Sequence, residues 1–207
     1  MTSVLLIDTG SGNVHSARKA LLAAGAETVE LTADADAVRR ADRLLLPGVG
    51  AFASCAGRLR ARDGLEDAIR EAAAGGTPLL GICVGMQLLA DEGFEHGRTP
   101  GLGLIPGAVR ALEAGSLRVP HMGWNEVTAE QSHPLLPDAS VGAGHAYFVH
   151  SYCFAPTDPD SVAATCTYGE AFPALIARGT VAGTQFHPEK SQAYGLDLLS
   201  RFLRWSP

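Results

Sequence analysis

The segment 78–89 constrains the fold more than any other stretch, because an apolar run leads through Gly81 into a cysteine and then into a helical pattern. Cys83 has a glycine two residues before it and another, Gly85, two residues after it. Small residues at those positions are typical of a nucleophile elbow, a strained strand-to-helix turn that presents one reactive side chain. The pattern predicts a strand over 78–82 and a helix that begins near Val84.

A cysteine on such an elbow is expected to act as a nucleophile. The N-terminus of the following helix would favour the thiolate form of Cys83. The backbone N–H of Val84 would face the oxyanion that forms when the sulfur attacks a carbonyl carbon. The same pattern also fits a buried, unreactive cysteine or a glycine-rich turn that binds phosphate, so the elbow alone does not decide between these functions.

Composition narrows the class of protein. The 207 residues are 46% hydrophobic, which predicts one domain spanning 1–207 with a sizeable core. A net charge of -6 argues against a nucleic-acid partner, and no apolar run is long enough to suggest a membrane span. The four cysteines lack paired spacing and no export signal is visible, so we expect a cytoplasmic protein with free thiols, no metal site and no cofactor.

Strands and helices alternate in the first half of the sequence. Predicted strands lie at 4–8, 28–31, 43–46 and 78–82, and predicted helices at 14–24, 34–41, 52–60 and 65–74. This alternation is typical of a parallel sheet with helices on its faces.

The second half is rich in short strand patterns with tight turns, which suggests antiparallel strands added to the sheet edge. These strands are predicted at 109–112, 125–128, 146–151, 152–155, 162–167, 174–178 and 181–186. An apolar face over 196–203 predicts a final helix docked on the sheet. The expected fold class is therefore α/β, with a central, mostly parallel sheet, antiparallel additions and helices on both faces.

A base for the cysteine is predicted just after the last strand. His187 follows the apolar run 181–186, and Glu189 stands two residues further on, so both side chains can point to the same side of an extended segment. A thiol nucleophile needs a histidine to move its proton, and that histidine needs an acceptor on its other ring nitrogen. An ordinary surface turn after a strand could also contain the sequence His187-Pro188-Glu189.

A glycine turn supplies the third part of the predicted site. Gly48, Val49 and Gly50 follow the third predicted strand at the carboxyl edge, where parallel sheets bind ligands. Glycines there leave backbone N–H groups free to approach an oxyanion, although a Pro-Gly pair also makes ordinary turns.

With these motifs together, the chain resembles the class I, triad-type glutamine amidotransferases nearly end to end. The resemblance is carried by the cysteine elbow at 81–87 and by the segment 185–189. Within that family the chain most resembles the glutaminase subunits of imidazole glycerol phosphate synthase. Four stretches support this narrower similarity, namely 7–13, 47–52, 120–125 and 186–192, and the segment 101–107 also fits.

The resemblance implies hydrolysis of glutamine by a Cys83–His187–Glu189 triad, with ammonia passed to a (βα)8-barrel cyclase subunit of histidine biosynthesis. It also implies glutamine-binding residues and a surface for the partner. The implied glutamine-binding residues are Gln87, Glu95, His150, Ser151 and Tyr152, and the expected partner surface comprises Asn13, Trp124, Asn125 and Lys190.

Several alternatives stay open at this point. Glu95 lies in an acidic loop that could simply be solvated, and Trp124 could be a core residue. The chain could also be a related cysteine hydrolase or an amidotransferase subunit of another pathway, which should lack the segment 120–125. A non-catalytic α/β module that uses Cys83 as a redox-sensitive thiol is the remaining alternative.

Overall fold

The described part of the chain forms a nine-stranded sheet, a four-stranded sheet and six helices. The computed structural model describes residues 2–10, 13–136 and 144–206. Ser11 and Gly12, which belong to the stretch 7–13, lie outside the described residues. Within the described ranges, no helix is both long and apolar enough to cross a membrane.

Strands and helices alternate in the first half of the chain, as predicted. The strands are β1 (Ser3–Ile7), β2 (Thr28–Thr32), β3 (Leu44–Gly48) and β4 (Leu79–Cys83). The helices are α1 (Val14–Ala23), α2 (Ala35–Arg39), α3 (Phe52–Arg60), α4 (Leu65–Ala74) and α5 (Val84–Gln87).

The second half is mostly strands. They are β5 (Glu92–Gly93), β6 (Thr99–Pro100), β7 (Gly107–Ala111), β8 (His121–Ala129), β9 (Gly144–His150), β10 (Tyr152–Pro156), β11 (Val162–Tyr168), β12 (Glu170–Arg178) and β13 (Val181–Thr184). Short 3-10 turns cover Pro159–Ser161 and Pro188–Lys190, and α6 (Gln192–Arg204) is the final helix.

The large sheet has the strand order β2-β1-β3-β4-β13-β12-β11-β8-β9. Neighbours from β2 to β13 run parallel, and neighbours from β13 to β9 run antiparallel. All residues of β3 and β4 are buried, because helices cover both faces of the parallel part. This arrangement confirms the predicted α/β class with a parallel centre and antiparallel additions.

The helices form two groups. Helix α1 packs against α6, whereas α2 and α3 pack against α4. From β1 the chain crosses to β2 through α1 and then back across the sheet through α2, α3 and α4. Right-handed crossovers in opposite directions put these helices on opposite faces of the sheet.

Two strands predicted as additions to the sheet edge belong instead to a separate sheet. Strands β7 and β10 join β5 and β6 in the order β10-β7-β5-β6. The carboxylate of Asp91 accepts the N–H of Gly107 at 2.9 Å, and the N–H of Asp91 donates to the carbonyl of Gly107 at 3.0 Å. Asp91 thereby ties the start of β7 to the segment after the elbow, and this long-range contact leaves no periodic pattern in the sequence.

Candidate active site

The elbow has the predicted strained geometry. Cys83 is the last residue of β4 and has φ 54° and ψ -112°, a conformation that is rare for a residue with a side chain. Its side chain is buried at the carboxyl edge of the parallel strands. The helix that follows, α5, is shorter than the apolar pattern suggests and comprises only Val84–Gln87. One turn of helix supplies only a small dipole at the sulfur.

Three glycines let the backbone cross itself at the elbow. A Cβ atom on Gly81 would lie 2.6 Å from the carbonyl oxygen of Gly85, and one on Gly48 would lie 2.5 Å from the Gly85 nitrogen. A Cβ atom on Gly85 would collide with the carbonyl oxygen of Leu46. The small residues flanking Cys83 are therefore required by direct contact between β3, β4 and the first turn of α5.

The histidine and carboxylate predicted to complete the site lie together beside the elbow. Nδ1 of His187 is 2.8 Å from Oε1 of Glu189, and both side chains are almost fully buried. Nε2 of His187 has no hydrogen-bond partner among the described residues. Burial lowers the pKa of His187, but the neighbouring Cys83 and Glu189 outweigh burial and raise that pKa to about 9.

The backbone of His187 is fixed by strand β9 and by Ser191. Its N–H donates to the carbonyl of Tyr147 at 3.0 Å, and its carbonyl accepts the hydroxyl of Ser191 at 2.7 Å. The same Ser191 oxygen accepts the N–H of Tyr147 at 3.0 Å. These bonds fix the backbone of His187 to β9 and to Ser191. No role for Tyr147 or Ser191 was predicted from the sequence.

The glycine turn lies next to the elbow, as the sequence predicted. Gly48 pairs with Cys83 across the sheet, and Gly50 has φ 97°, a value that favours glycine. The thiol of Cys55 donates to the carbonyl of Val49 at 3.2 Å. The side chain of Val49 is 40% exposed.

A cavity of about 660 Å³ opens above the elbow and brings together most of the predicted residues. Those that line it are Asn13, Val49, Gly50, Cys83, Val84, Gln87, Glu95, His150, Ser151, Tyr152, His187 and Lys190. Gly48 and Glu189 line a small recess beside it. Pro120, from the stretch 120–125, and Val149, for which no role was predicted, also line the cavity. Trp124 and Asn125 are not part of its lining.

Gln87 is buried in the cavity wall with a fixed amide orientation. Its Nε2 donates to the carbonyl of Tyr152 at 2.9 Å and to Oε1 of Gln185 at 3.1 Å. These two bonds use both amide protons, so only the Oε1 atom of Gln87 remains available to a ligand, as an acceptor.

Glu95 is not simply a solvated residue. Its Oε2 accepts the N–H of Phe52 at 2.7 Å, which places the carboxylate at the first residue of α3 and at the cavity rim. The bond engages one carboxylate oxygen with the backbone and leaves the carboxylate charge at the cavity.

Two neutral histidines belong to the cavity wall, where His150 lines the cavity and His121 contacts His150 from outside the lining. Nδ1 of His150 is 3.0 Å from the carbonyl of Tyr152, so this nitrogen carries the proton and Nε2 is an acceptor. Nδ1 of His121 therefore donates to Nε2 of His150 at 3.0 Å, and Nε2 of His121 accepts from Asn125. Burial lowers the pKa of both histidines to about 4, which keeps them uncharged at neutral pH.

The residues predicted as a partner surface differ in their surroundings. Trp124 is 48% exposed, which excludes the core alternative, and its ring contacts that of Tyr147 edge-on. The ammonium of Lys190 lies 5.7 Å from the Tyr147 ring centroid. The amide nitrogen of Asn125, in contrast, donates inward to the carbonyl of Thr167 at 3.0 Å.

Comparisons with known proteins agree with this geometry. A family model described as glutamine amidotransferase class-I matches residues 5–204. Imidazole glycerol phosphate synthase subunit HisH of Rhodospirillum rubrum is 52% identical, with 99% of each chain covered. The protein of the same name from Ruegeria pomeroyi is 51% identical, with 98% of each chain covered.

Solved structures with low sequence identity share the fold. A structure described as a glutamine amidotransferase has a TM-score of 0.71 at 23% identity and covers 96% of this chain and 99% of its own. A chain from the structure of PurLQS from Thermotoga maritima has a TM-score of 0.71 at 20% identity, and the match covers 98% of this chain and 97% of that one.

An α/β sheet that presents a cysteine elbow beside a buried histidine–carboxylate pair defines the class of cysteine-dependent acyl-transfer enzymes. The family model covers nearly the whole chain, and full-length relatives share about half of its residues. The chain therefore belongs to the class-I glutamine amidotransferase family and, within it, to the imidazole glycerol phosphate synthase subunits named HisH.

Proposed function

We propose that this chain hydrolyses glutamine to glutamate and ammonia, and supplies the ammonia to a cyclase subunit of imidazole glycerol phosphate synthase. One observation carries the proposal most strongly. Nε2 of His187 is buried without a partner among the described residues beside Cys83, while Nδ1 is engaged by Glu189. A histidine held in this way is suited to exchange a proton between a thiol and a leaving amine.

The proposed reaction has two stages. The sulfur of Cys83 attacks the side-chain amide carbon of glutamine, and His187 transfers the thiol proton to the leaving nitrogen. Ammonia departs and a glutamyl thioester remains on Cys83. A water molecule then attacks the thioester carbon while His187 takes its proton, and the proton returns to sulfur as glutamate leaves. Glu189 keeps the imidazole oriented throughout.

Backbone N–H groups are proposed to stabilise both tetrahedral intermediates. The N–H of Val84 belongs to the residue after the nucleophile, which is the usual oxyanion donor on an elbow. The turn formed by Gly48, Val49 and Gly50 is proposed to supply the second donor. Its glycines allow a peptide group to rotate at low steric cost, so the turn could switch between a silent and an active arrangement.

Glutamine is proposed to lie along the cavity wall. Oε1 of Gln87 would accept an N–H of the substrate, and the charge of Glu95 would attract the substrate ammonium group. The backbone of His150, Ser151 and Tyr152 would contact the substrate carboxylate and amide. The carboxylate of Glu95 and the acceptor of Gln87 both line the cavity, which supports recognition of a positively charged ammonium at one end.

The partner surface is proposed to surround the cavity rim. Asn13 and Lys190 line the cavity, and Trp124 stands exposed nearby against Tyr147. A cyclase docked there would receive ammonia close to its point of release. Tryptophan is enriched among the residues that anchor protein interfaces. A cytoplasmic location is part of the same proposal.

The test is glutamate release with and without the cyclase subunit and its phosphoribosyl substrate. The free chain should turn over glutamine slowly, and the complex with ligand should raise kcat rather than only lower the KM for glutamine. Cys83→Ala should remove activity in both states. Activity that survives this substitution would contradict the proposal, and full activity of the free chain would remove the reason to invoke a switch in the turn.

A further inference from the structure

Gln185 is a fully buried polar residue that takes no part in the proposed reaction steps. It follows the last residue of β13, and its backbone N–H donates to the carbonyl of Ala174 at 2.9 Å. Its side chain lies against the sulfur of Cys83, with a distance of 3.8 Å from Nε2 to Sγ. A buried amide requires partners at both ends, so the orientation of this amide can be worked out.

The backbone carbonyl of Tyr152 fixes the orientation of the Gln185 amide through Gln87. The carbonyl of Tyr152 can only accept, so the atom of Gln87 that faces it at 2.9 Å must be Nε2. The same Nε2 donates to the Gln185 side chain at 3.1 Å, which makes that atom Oε1. The opposite end of Gln185, which faces Cys83, is therefore the NH₂ group.

Besides His187, the sulfur of Cys83 has two further neighbours, a donor and an acceptor. The carbonyl oxygen of Val149 is 3.9 Å from Sγ and can accept a proton only from the neutral thiol. The NH₂ group of Gln185 can donate to either form, and a hydrogen bond to an anion is the stronger of the two. Without Gln185 the sulfur would keep this acceptor, which favours the protonated thiol, and His187 would be the side chain left beside it to stabilise the thiolate.

We propose that Gln185 is a positioning residue that holds the Cys83 sulfur and favours its thiolate through an amide hydrogen bond, with Gln87 fixing the amide. The inference rests on the proposed function, in which Cys83 is the nucleophile. It also gives Gln87 a second task besides contact with substrate, because loss of Gln87 would free the Gln185 amide to rotate.

The test measures the thiolate directly in the full chain, without glutamine. The rate at which iodoacetamide alkylates Cys83 is followed against pH, with peptide mass spectrometry separating this cysteine from Cys55, Cys153 and Cys166. In Gln185→Leu the midpoint should rise by about one pH unit, which is about tenfold slower alkylation below the midpoint. In the complex with the cyclase, kcat should fall about tenfold while the KM for glutamine changes less than about twofold.

Thr184→Val is the matched control. Thr184 is also fully buried beside Gln185, but its hydroxyl donates to the carbonyl of Phe186 at 3.0 Å rather than to sulfur. This variant should keep the wild-type alkylation midpoint. If Gln185→Leu does not fold, Gln185→Met carries the test, because it keeps the length of the side chain and carries neither an N–H donor nor a charge; its midpoint should rise by the same amount.

The outcomes separate this inference from the proposed function. A folded Gln185→Leu variant with an unshifted midpoint overturns the role of Gln185, even when the wild-type complex is an active glutaminase. Glutaminase activity that survives Cys83→Ala overturns the proposed nucleophile, whatever the alkylation profile of the Gln185 variants. An equal shift in Thr184→Val would also overturn the inference, since it would trace the effect to general disturbance of the strand end.

Discussion

The carbonyl of Tyr147 accepts the backbone N–H of His187 at 3.0 Å, so strand β9 is bonded directly to the proposed catalytic base. The ring of the same Tyr147 lies between Trp124 and Lys190 on the proposed partner surface. One residue therefore contacts both the surface and the histidine. This contact provides a short physical link through which a docked partner could act on the site.

The paired histidine and carboxylate should behave as one unit. His187→Ala should reduce glutamate release by several powers of ten, and Glu189→Gln should reduce it less, because orienting an imidazole contributes less than supplying it. The double variant should cost little more than His187→Ala alone. Glutamate release is measured for all three variants in the complex, and additive losses would show that the two residues act independently.

The glycine contact at the elbow should be sensitive to a single methyl group. Gly85→Ala would force a Cβ atom against the carbonyl of Leu46, and overpacking of this kind costs roughly 1–3 kcal/mol or more. Gly57→Ala, in helix α3 with open space around it, should instead stabilise the protein by about 0.5–1 kcal/mol. Urea unfolding measures both, and equal effects would contradict the interlocked geometry.

The two tryptophans should respond oppositely to truncation. Trp124 is 48% exposed and Trp205 is 4% exposed. Trp124→Ala should leave the melting temperature nearly unchanged and weaken binding to the cyclase, whereas Trp205→Ala should cost roughly 3–5 kcal/mol of stability. Thermal melts measure the stability of both variants, and a titration measures their binding to the cyclase. A large stability loss with unchanged binding in Trp124→Ala would argue against a partner surface.

Stability should fall on mild acidification. The pKa of His121 and of His150 is lowered by burial to about 4, against an ordinary value of 6.5. Between these values the unfolded chain binds protons that the folded chain does not, so the free energy of unfolding decreases as the pH falls. The loss at pH 5 should be about 2 kcal/mol per histidine.

Variants at two histidines provide the check on this pH dependence. His121→Gln should remove about half of the acid-linked loss, because one of the two groups no longer titrates. The exposed His15 serves as the control, and His15→Gln should leave the loss unchanged.

On the alkaline side the free energy of unfolding should decrease as the pH rises. The pKa of His187 is raised to about 9 in the folded protein, so the stability that its protonated form contributes is lost as the pH rises from 6.5 through 9. Urea titrations at pH 5, 7 and 9 should therefore show greatest stability near neutral pH.

The sequence predicted the helices and the elbow, because each of them depends on residues that are close together in the chain. The helices at 52–60 and 65–74 were predicted with the observed bounds, because apolar spacing and flanking glycines define them. The elbow was predicted because small residues around Cys83 are a direct consequence of the tight turn. The small second sheet was missed, since two of its strands contain only two residues each and carry no period.

Contacts between distant residues outside the three predicted parts of the site could not be predicted from pattern. Gln185 bonds to Gln87, 98 residues earlier, and lies against Cys83, 102 residues earlier. His121 and His150 likewise meet across two paired strands. The only available signal for Gln185 was its place in the segment 185–189, which marks a functional stretch without assigning this residue a role.

The most direct test of the proposed chemistry is to trap the glutamyl thioester. The complex with cyclase and its phosphoribosyl ligand is mixed with isotopically labelled glutamine, quenched in acid and digested for peptide mass spectrometry. The account predicts a labelled glutamyl group on the peptide that contains Cys83, and its disappearance in Cys83→Ala together with glutamate release. A labelled group on Cys55, Cys153 or Cys166, or glutamate release that persists in Cys83→Ala, would contradict the account.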